Sequence, residues 1–172
     1  MKLLEDIVLT NSIEISTTPE KIFGFFLQIV DDASYQAWHP EDHVAFRLIR
    51  GELCQQGSVV YAEEHIHGKL HKLKFLIKEV LPNRKIEFVP VSRLLRIYFP
   101  RNTFLIETRG GSCVFTSSCV IRVGRLVKLL ARNRLEQGLS SVRKHMKEEG
   151  ENLKWILEKR ESHNQALEAT SQ

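Results

Sequence analysis

The hydrophobic pattern of this chain changes period once, and that change restricts the folds open to it. From His43 to Ile121 apolar residues recur at every second position in short runs: Val44, Phe46 and Leu48, then 59–66, 70–80, 86–91, 103–108 and 113–121. Side chains alternate across a strand, so the runs read as strands of a half-buried sheet. Turn residues divide them at Gly51, Gly57, Gly68, Pro82-Asn83 and Gly110-Gly111, the last pair a hairpin signature. From about Leu126 to Lys159 the spacing becomes three and four, through Leu135, Leu139, Val142, Met146, Leu153 and Ile156. That predicts one long helix, with Gly138 the point where it would break. A sheet with one apolar face and a helix with one apolar stripe have to bury each other.

Ahead of the sheet, residues 7–16 predict a first strand, with Thr10-Asn11-Ser12 as a candidate interruption. Thr17-Thr18-Pro19-Glu20 supplies a hydroxyl cap, an early proline and an acidic first turn, so a helix is expected through Phe23, Phe26 and Ile29. A second short helix or turn carries Tyr35, Trp38 and His39, and Pro40 limits it. With 172 residues, 42% of them hydrophobic, the chain is sized for one core, and residues 1–161 are read as one domain. Residues 162–172 lack apolar periodicity and are expected to be a frayed or disordered tail.

Composition excludes several classes. The cysteines Cys54, Cys113 and Cys119 are odd in number and form no CxxC pair, which argues against a disulfide framework and a zinc ribbon. No signal-peptide core precedes Glu5 and Asp6, and no stretch has the length of a membrane span, so the reading is cytoplasmic, with a membrane not expected as partner. The net charge of +4 comes largely from Arg122 to Arg134 and from the long helix. Aromatic interleaving is absent there, so these charges read as a solvated face and nucleic acid is not an expected partner.

Strand, two short helices, about six antiparallel strands and a long terminal helix resembles the Bet v 1-like, START-related superfamily. The match covers residues 7 to 160 and includes the Thr18-Pro19-Glu20-Lys21-Ile22-Phe23 entry to the first helix and Trp38 before the second strand. It implies an α+β helix-grip fold, a curved antiparallel sheet of six or seven strands wrapped around the C-terminal helix and an internal pocket. Fold alone does not give function.

Three local features carry chemistry. In Tyr35-Gln36-Ala37-Trp38-His39-Pro40-Glu41-Asp42-His43 two imidazoles lie four residues apart, but Pro40 interrupts a shared helical face. In Glu63-Glu64-His65-Ile66-His67, alternation puts Glu64 on one face with Val60, Ala62 and Ile66, while Glu63, His65 and His67 take the other. If the apolar set faces the pocket, Glu64 needs a cation, a metal or a proton there. On the long helix Glu149 falls inside the apolar stripe, and His145, one turn earlier, borders it. Two histidines and two carboxylates around one cavity suit a divalent metal, zinc first, with iron or manganese as alternatives.

The same three segments, with His145-x-x-x-Glu149, look like the zinc site of the diacetylphloroglucinol and phloretin hydrolases, which cleave a carbon–carbon bond beside an aromatic ketone. That resemblance implies His43, Glu64, His145 and Glu149 as metal ligands and Tyr35 as the residue contacting a phenolic substrate. His39 is the alternative ligand, and Glu63 the alternative to Glu64. Those enzymes also use a histidine from a later strand, whereas residues 103–122 contain none. His67 or His71 is the candidate substitute, which gives Tyr35, His39 and His67 as the catalytic candidates.

The leading reading is therefore a zinc-dependent hydrolase of a small aromatic or polyketide-like ketone. The second is a non-catalytic carrier of a small hydrophobic or aromatic ligand, in which the histidines and carboxylates form a polar network. A third, ranked last, is a membrane-associated lipid binder using the 94–99 apolar tip and the Arg122 to Arg134 run. A homodimer is left open.

Overall fold

A computed structural model describes residues 3–170, with side chains through Lys159. Seven antiparallel strands form one curved sheet in the order β1-β7-β6-β5-β4-β3-β2. The strands are β1 (Leu4–Ile15), β2 (His43–Arg50), β3 (Val59–Ile66), β4 (Lys69–Leu81), β5 (Lys85–Pro90), β6 (Arg101–Arg109) and β7 (Ser112–Gly124). Two helices, α1 (Pro19–Leu27) and α2 (Asp32–Trp38), connect β1 to β2; α3 (Arg93–Tyr98) connects β5 to β6; and α4 (Arg125–Leu130) and α5 (Arg132–Thr170) end the chain. The fold is the helix grip that the resemblance in element order implies.

Local chemistry departs from expectation at four points. β1 pairs with β7 without a break from Leu4 to Ile15, so Thr10-Asn11-Ser12 does not interrupt it. Ser12 and Thr10 instead meet Thr116 and Ser118 across the ladder. Thr18 is the N-cap of α1 but its side chain makes no capping bond. Its hydroxyl is spent on the Glu20 carboxylate, which the Glu20 backbone N–H first and then that bond hold below the usual range.

The terminal helix breaks at Ala131 and runs straight through Gly138. Ala131 caps α4, its N–H bonding the Val127 carbonyl, and its own carbonyl accepts from the Leu135 N–H, so the single helix expected from Leu126 to Lys159 is divided into two at Ala131. The apolar residues of α4 do not belong to the stripe of α5, and only α5 lies along the sheet. α5 extends through Thr170, so the helix continues into the segment expected to be a frayed tail; residues 171–172 lie outside the described ones.

The stripe packs as the spacing predicts. Leu139, Met146 and Leu153 are buried, joined by Leu157, and Leu135, Val142 and Ile156 are partly buried against them. The helix is pinned along β1: Asn11 Nδ2 donates to the Met146 carbonyl (3.3 Å), Lys154 to the Glu14 carbonyl (2.7 Å), and Glu158 accepts from the Ser16 N–H (2.9 Å). Beneath it, Phe25, Phe26, Trp38, Phe104 and Phe115 form a continuous aromatic cluster with ring centroids 5.1–6.1 Å apart.

Candidate functional site

α2 and the turn after it deliver the first side chains. Asp31 caps α2 through a reciprocal capping box with Ser34, and Asp32 accepts from the Phe46 N–H at 2.8 Å, tying the helix to β2. Tyr35 and Trp38, one turn apart, are thereby buried. The helix stops before Pro40, yet the His43 N–H reaches the His39 carbonyl (2.9 Å) and closes a single turn. This brings two imidazoles inside without a continuous helix; His39 and His43 are each 2% exposed.

The four side chains proposed as ligands from sequence come together. His43 Nε2 lies 3.2 Å from Glu149 Oε1, and His145 Nε2 lies 3.6 Å from the same oxygen and 3.8 Å from Glu64 Oε2. His43, Glu64 and His145 each offer a ligand atom within 4.8 Å of the others'. Glu64 shares the inward face with Ala62, whereas Glu63 turns away to Tyr61 and Lys72.

The other ring nitrogens fix the tautomers. His43 Nδ1 faces the Tyr35 carbonyl at 3.0 Å, and His145 Nδ1 faces the Asp42 carboxylate at 2.9 Å. Both partners are acceptors, so each Nδ1 carries a proton and each Nε2 is directed at the carboxylates. Tyr35 donates its hydroxyl to Glu64 and stacks on His43 with centroids 3.8 Å apart. Trp38 Nε1 donates to the Glu149 carbonyl at 3.0 Å, fixing the helix turn that carries the acid.

His39 is arranged differently. Its Nδ1 accepts from the Asp42 N–H at 3.2 Å, which leaves the hydrogen on Nε2. That nitrogen is 3.3 Å from Glu148 Oε2 and 3.9 Å from Asp42 Oδ2 but aligned for a hydrogen bond with neither. His39 thus stacks beside His145 (centroids 5.1 Å), and with Asp42 and His145 it makes a second group whose ligand atoms lie within 4.8 Å of one another. His67 is exposed in the β3–β4 turn, with its ring on Ser141 at 2.9 Å. His71 is opposite Glu64 in the β3–β4 register, so it shares the inward face, though it is exposed.

Electrostatics follow from the geometry. Burial works to lower the His145 pKa, but the carboxylates of Glu149, Glu64 and Asp42 outweigh it and raise the value above the ordinary one. Burial would raise Glu149, yet His145, His43 and His39 together hold it below the ordinary carboxylate range. Burial, then the charges of Glu64 and Glu149, pushes the Tyr35 phenol well up, so it stays a donor. Asp42 and Glu148 were not singled out by sequence: no periodicity marks a carboxylate that serves a histidine from behind. Its place beside His43 is the one available signal.

No family model matches the chain, and no curated protein matches it. Solved structures do. The Zhui aromatase/cyclase from Streptomyces sp. R1128 superposes with a TM-score of 0.65 at 13% identity, over 91% of this chain and 96% of that one. The fold is Bet v 1-like. The ginseng major latex-like protein 151 from Panax ginseng gives 0.54 at 18% identity, over 84% and 99%. A norcoclaurine synthase point mutant from Thalictrum flavum, in complex with a transition-state analogue, gives 0.57 at 15% identity, over 85% and 97%. No helix among the described residues is long and apolar enough to cross a membrane.

Proposed function

We propose that this helix-grip chain binds a small aromatic or otherwise hydrophobic molecule beside a divalent metal, zinc first, held by His43, Glu64, His145 and Glu149, and hydrolyses a carbon–carbon bond next to its ketone. The observation that carries the reading is the convergence of His43 Nε2 and His145 Nε2 on Glu149 and Glu64. Two Nε2 atoms meet two carboxylates in a buried space, and only a proton or a metal relieves that arrangement. Ligands about 2.0–2.1 Å from a tetrahedral zinc ion stand about 3.3 Å from one another. Three of the six donor pairs stand 3.2–3.8 Å apart, near that spacing, and His43, Glu64 and His145 form a group within 4.8 Å that Glu149 borders.

Bound there, a zinc ion would polarise a ketone oxygen and lower the pKa of water. The chain's own residues do the rest. Tyr35 orients Glu64 and presents its ring to an aromatic ligand, and Asp42 and the Tyr35 carbonyl hold the two imidazoles. In the hydrolysis, water oxygen bonds to the carbonyl carbon, the carbon–carbon bond breaks, and its electron pair stays on the ring carbon, which takes a proton. With no histidine in β6 or β7 and His67 turned to Ser141, His71, opposite Glu64 in the β3–β4 register, is the candidate to supply that proton.

The fold neighbours support only a site for a small hydrophobic molecule, which backs the carrier better than the hydrolase; the hydrolase rests on the histidine–carboxylate cluster alone. Protein purified without a tag or added metal, analysed for metal and assayed on diacetylphloroglucinol and phloretin, separates the two. One metal per chain with chelator-sensitive cleavage supports the hydrolase. Metal without cleavage leaves a metal-containing binder, and neither leaves the carrier.

A further inference from the structure

A helix lying on a protein ordinarily turns its apolar side inward. Two short helices here do the reverse. α3 reads RLLRIY and α4 reads RLVKLL, so each places cations at its first and fourth positions, on one side, and apolar residues at the other four. Three of the four cations are tied to the body: Arg96 donates to the carbonyls of Pro90 (3.0 Å) and Val91 (3.3 Å), Arg125 and Lys128 to Glu5 (2.8 and 2.9 Å). The apolar side chains face solvent, from 38% exposed at Leu95 to 81% at Leu130. Exposed apolar surface of this extent marks a contact site.

Both helices stand at one end of the sheet. α3 leads into Arg101, which pairs with Val120, and α4 begins where β7 ends at Gly124. Antiparallel register places the end of β5, the start of β4 and the β3–β4 turn at the same end, beside the strand position of Glu64.

The charge around them selects the occupant. No acidic residue occurs between Glu87 and Glu107 or between Glu107 and Glu136. Arg93, Arg101, Arg132 and Arg134 are exposed and form no ion pair among the described residues. A second copy docking face to face would set these arginines against themselves. An anionic bilayer offers acyl chains to the leucines and phosphates to the arginines.

We propose that α3 and α4 form a docking surface for an anionic lipid bilayer, resting on it without crossing it. A ligand that partitions into lipid then reaches the end of the sheet where the histidine–carboxylate cluster lies. The surface is independent of any metal at that cluster.

The test is co-sedimentation of the full chain, at physiological ionic strength, with vesicles of phosphatidylcholine alone and of phosphatidylcholine mixed with phosphatidylglycerol. The expected result is pelleting with the mixed vesicles only. Changing Leu129→Glu with Leu130→Glu abolishes it, and Arg132→Gln with Arg134→Gln weakens it by about tenfold or more, both with unchanged circular dichroism. Leu94→Gln with Ile97→Gln repeats the test on α3 should the α4 pair fail to fold. Absence of pelleting, or pelleting that survives the leucine and arginine changes, overturns the proposal. So does a dimer, seen by light scattering, that Leu129→Glu with Leu130→Glu dissolves, since a second copy then covers the face.

Discussion

Asp42 holds His145 from behind: its carboxylate takes the Nδ1 hydrogen at 2.9 Å, and the opposite nitrogen is thereby turned to Glu149 and Glu64. Carboxylates in this position set both the ring orientation and the basicity of a metal-bound histidine, and their loss typically costs 10–100-fold in metal affinity. Asp42→Asn should therefore weaken zinc binding by roughly tenfold or more, read by competition with a chromophoric chelator. Wild-type affinity in that variant would show that Asp42 is not a positioning residue.

Glu149 is more exacting. Glu149→Gln keeps the volume of a buried side chain but replaces a carboxylate with a much poorer ligand, so bound metal should be mostly lost while the circular dichroism spectrum is unchanged. Full metal content in the variant would remove Glu149 from the ligand set.

Without metal, the proton on His145 is what balances the carboxylates. Its folded pKa is raised, so the stability it contributes is complete below its unfolded value near 6.5 and declines as pH climbs through the folded value. Glu149 has a lowered folded pKa; its contribution is present above the ordinary carboxylate value and fades as pH falls through the folded one. Thermal melts of chelator-treated protein should thus peak in mildly acidic buffer. Zinc competes with the same proton, so its stabilisation should be larger at pH 8 than at pH 6. A zinc-induced shift that shrinks with rising pH would contradict this.

Ligand entry can be followed at Trp38. It is buried, edge-on to Tyr35 (centroids 6.3 Å), whereas Trp155 is 62% exposed beneath Lys159. Phloretin should quench the Trp155→Phe variant and leave Trp38→Phe nearly unaffected. Equal quenching would place the ligand elsewhere.

The fold was legible because its two periods, two and about 3.6, are written over long stretches. Glu64 and Glu149 stood out for a related reason: each is a charge within an apolar face. What the sequence hid depends on contacts between distant segments. The break at Ala131 sits at a strong helix former, and nothing in the pattern announces that α4 faces solvent. The tautomers of His39, His43 and His145 depend on a turn closing over Pro40, which brings Asp42 between two imidazoles.

Two glycines on α5 should respond differently to a side chain. Gly138 has open space around the position a Cβ would take, so Gly138→Ala should gain about 1 kcal/mol of helix propensity. At Gly150, one residue past Glu149, a Cβ would stand 2.8 Å from Asn11 Nδ2 and 3.4 Å from Ile13 Cγ2. Asn11 would have to leave the Met146 carbonyl, a loss of about 1 kcal/mol that cancels the same propensity gain. A leucine there cannot be absorbed by moving one amide: it would lift the helix from β1 and cost roughly 1–3 kcal/mol. Urea denaturation of the metal-free protein should rank Gly138→Ala above wild type, Gly150→Ala near it and Gly150→Leu well below. The Gly150→Leu variant should also lose metal affinity, because the lifted turn carries Glu149 away from His43 and breaks the Trp38 bond to the Glu149 carbonyl. A Gly150→Leu chain as stable as wild type, with metal retained, would show that the close crossing of α5 over β1 does not set the geometry of the site.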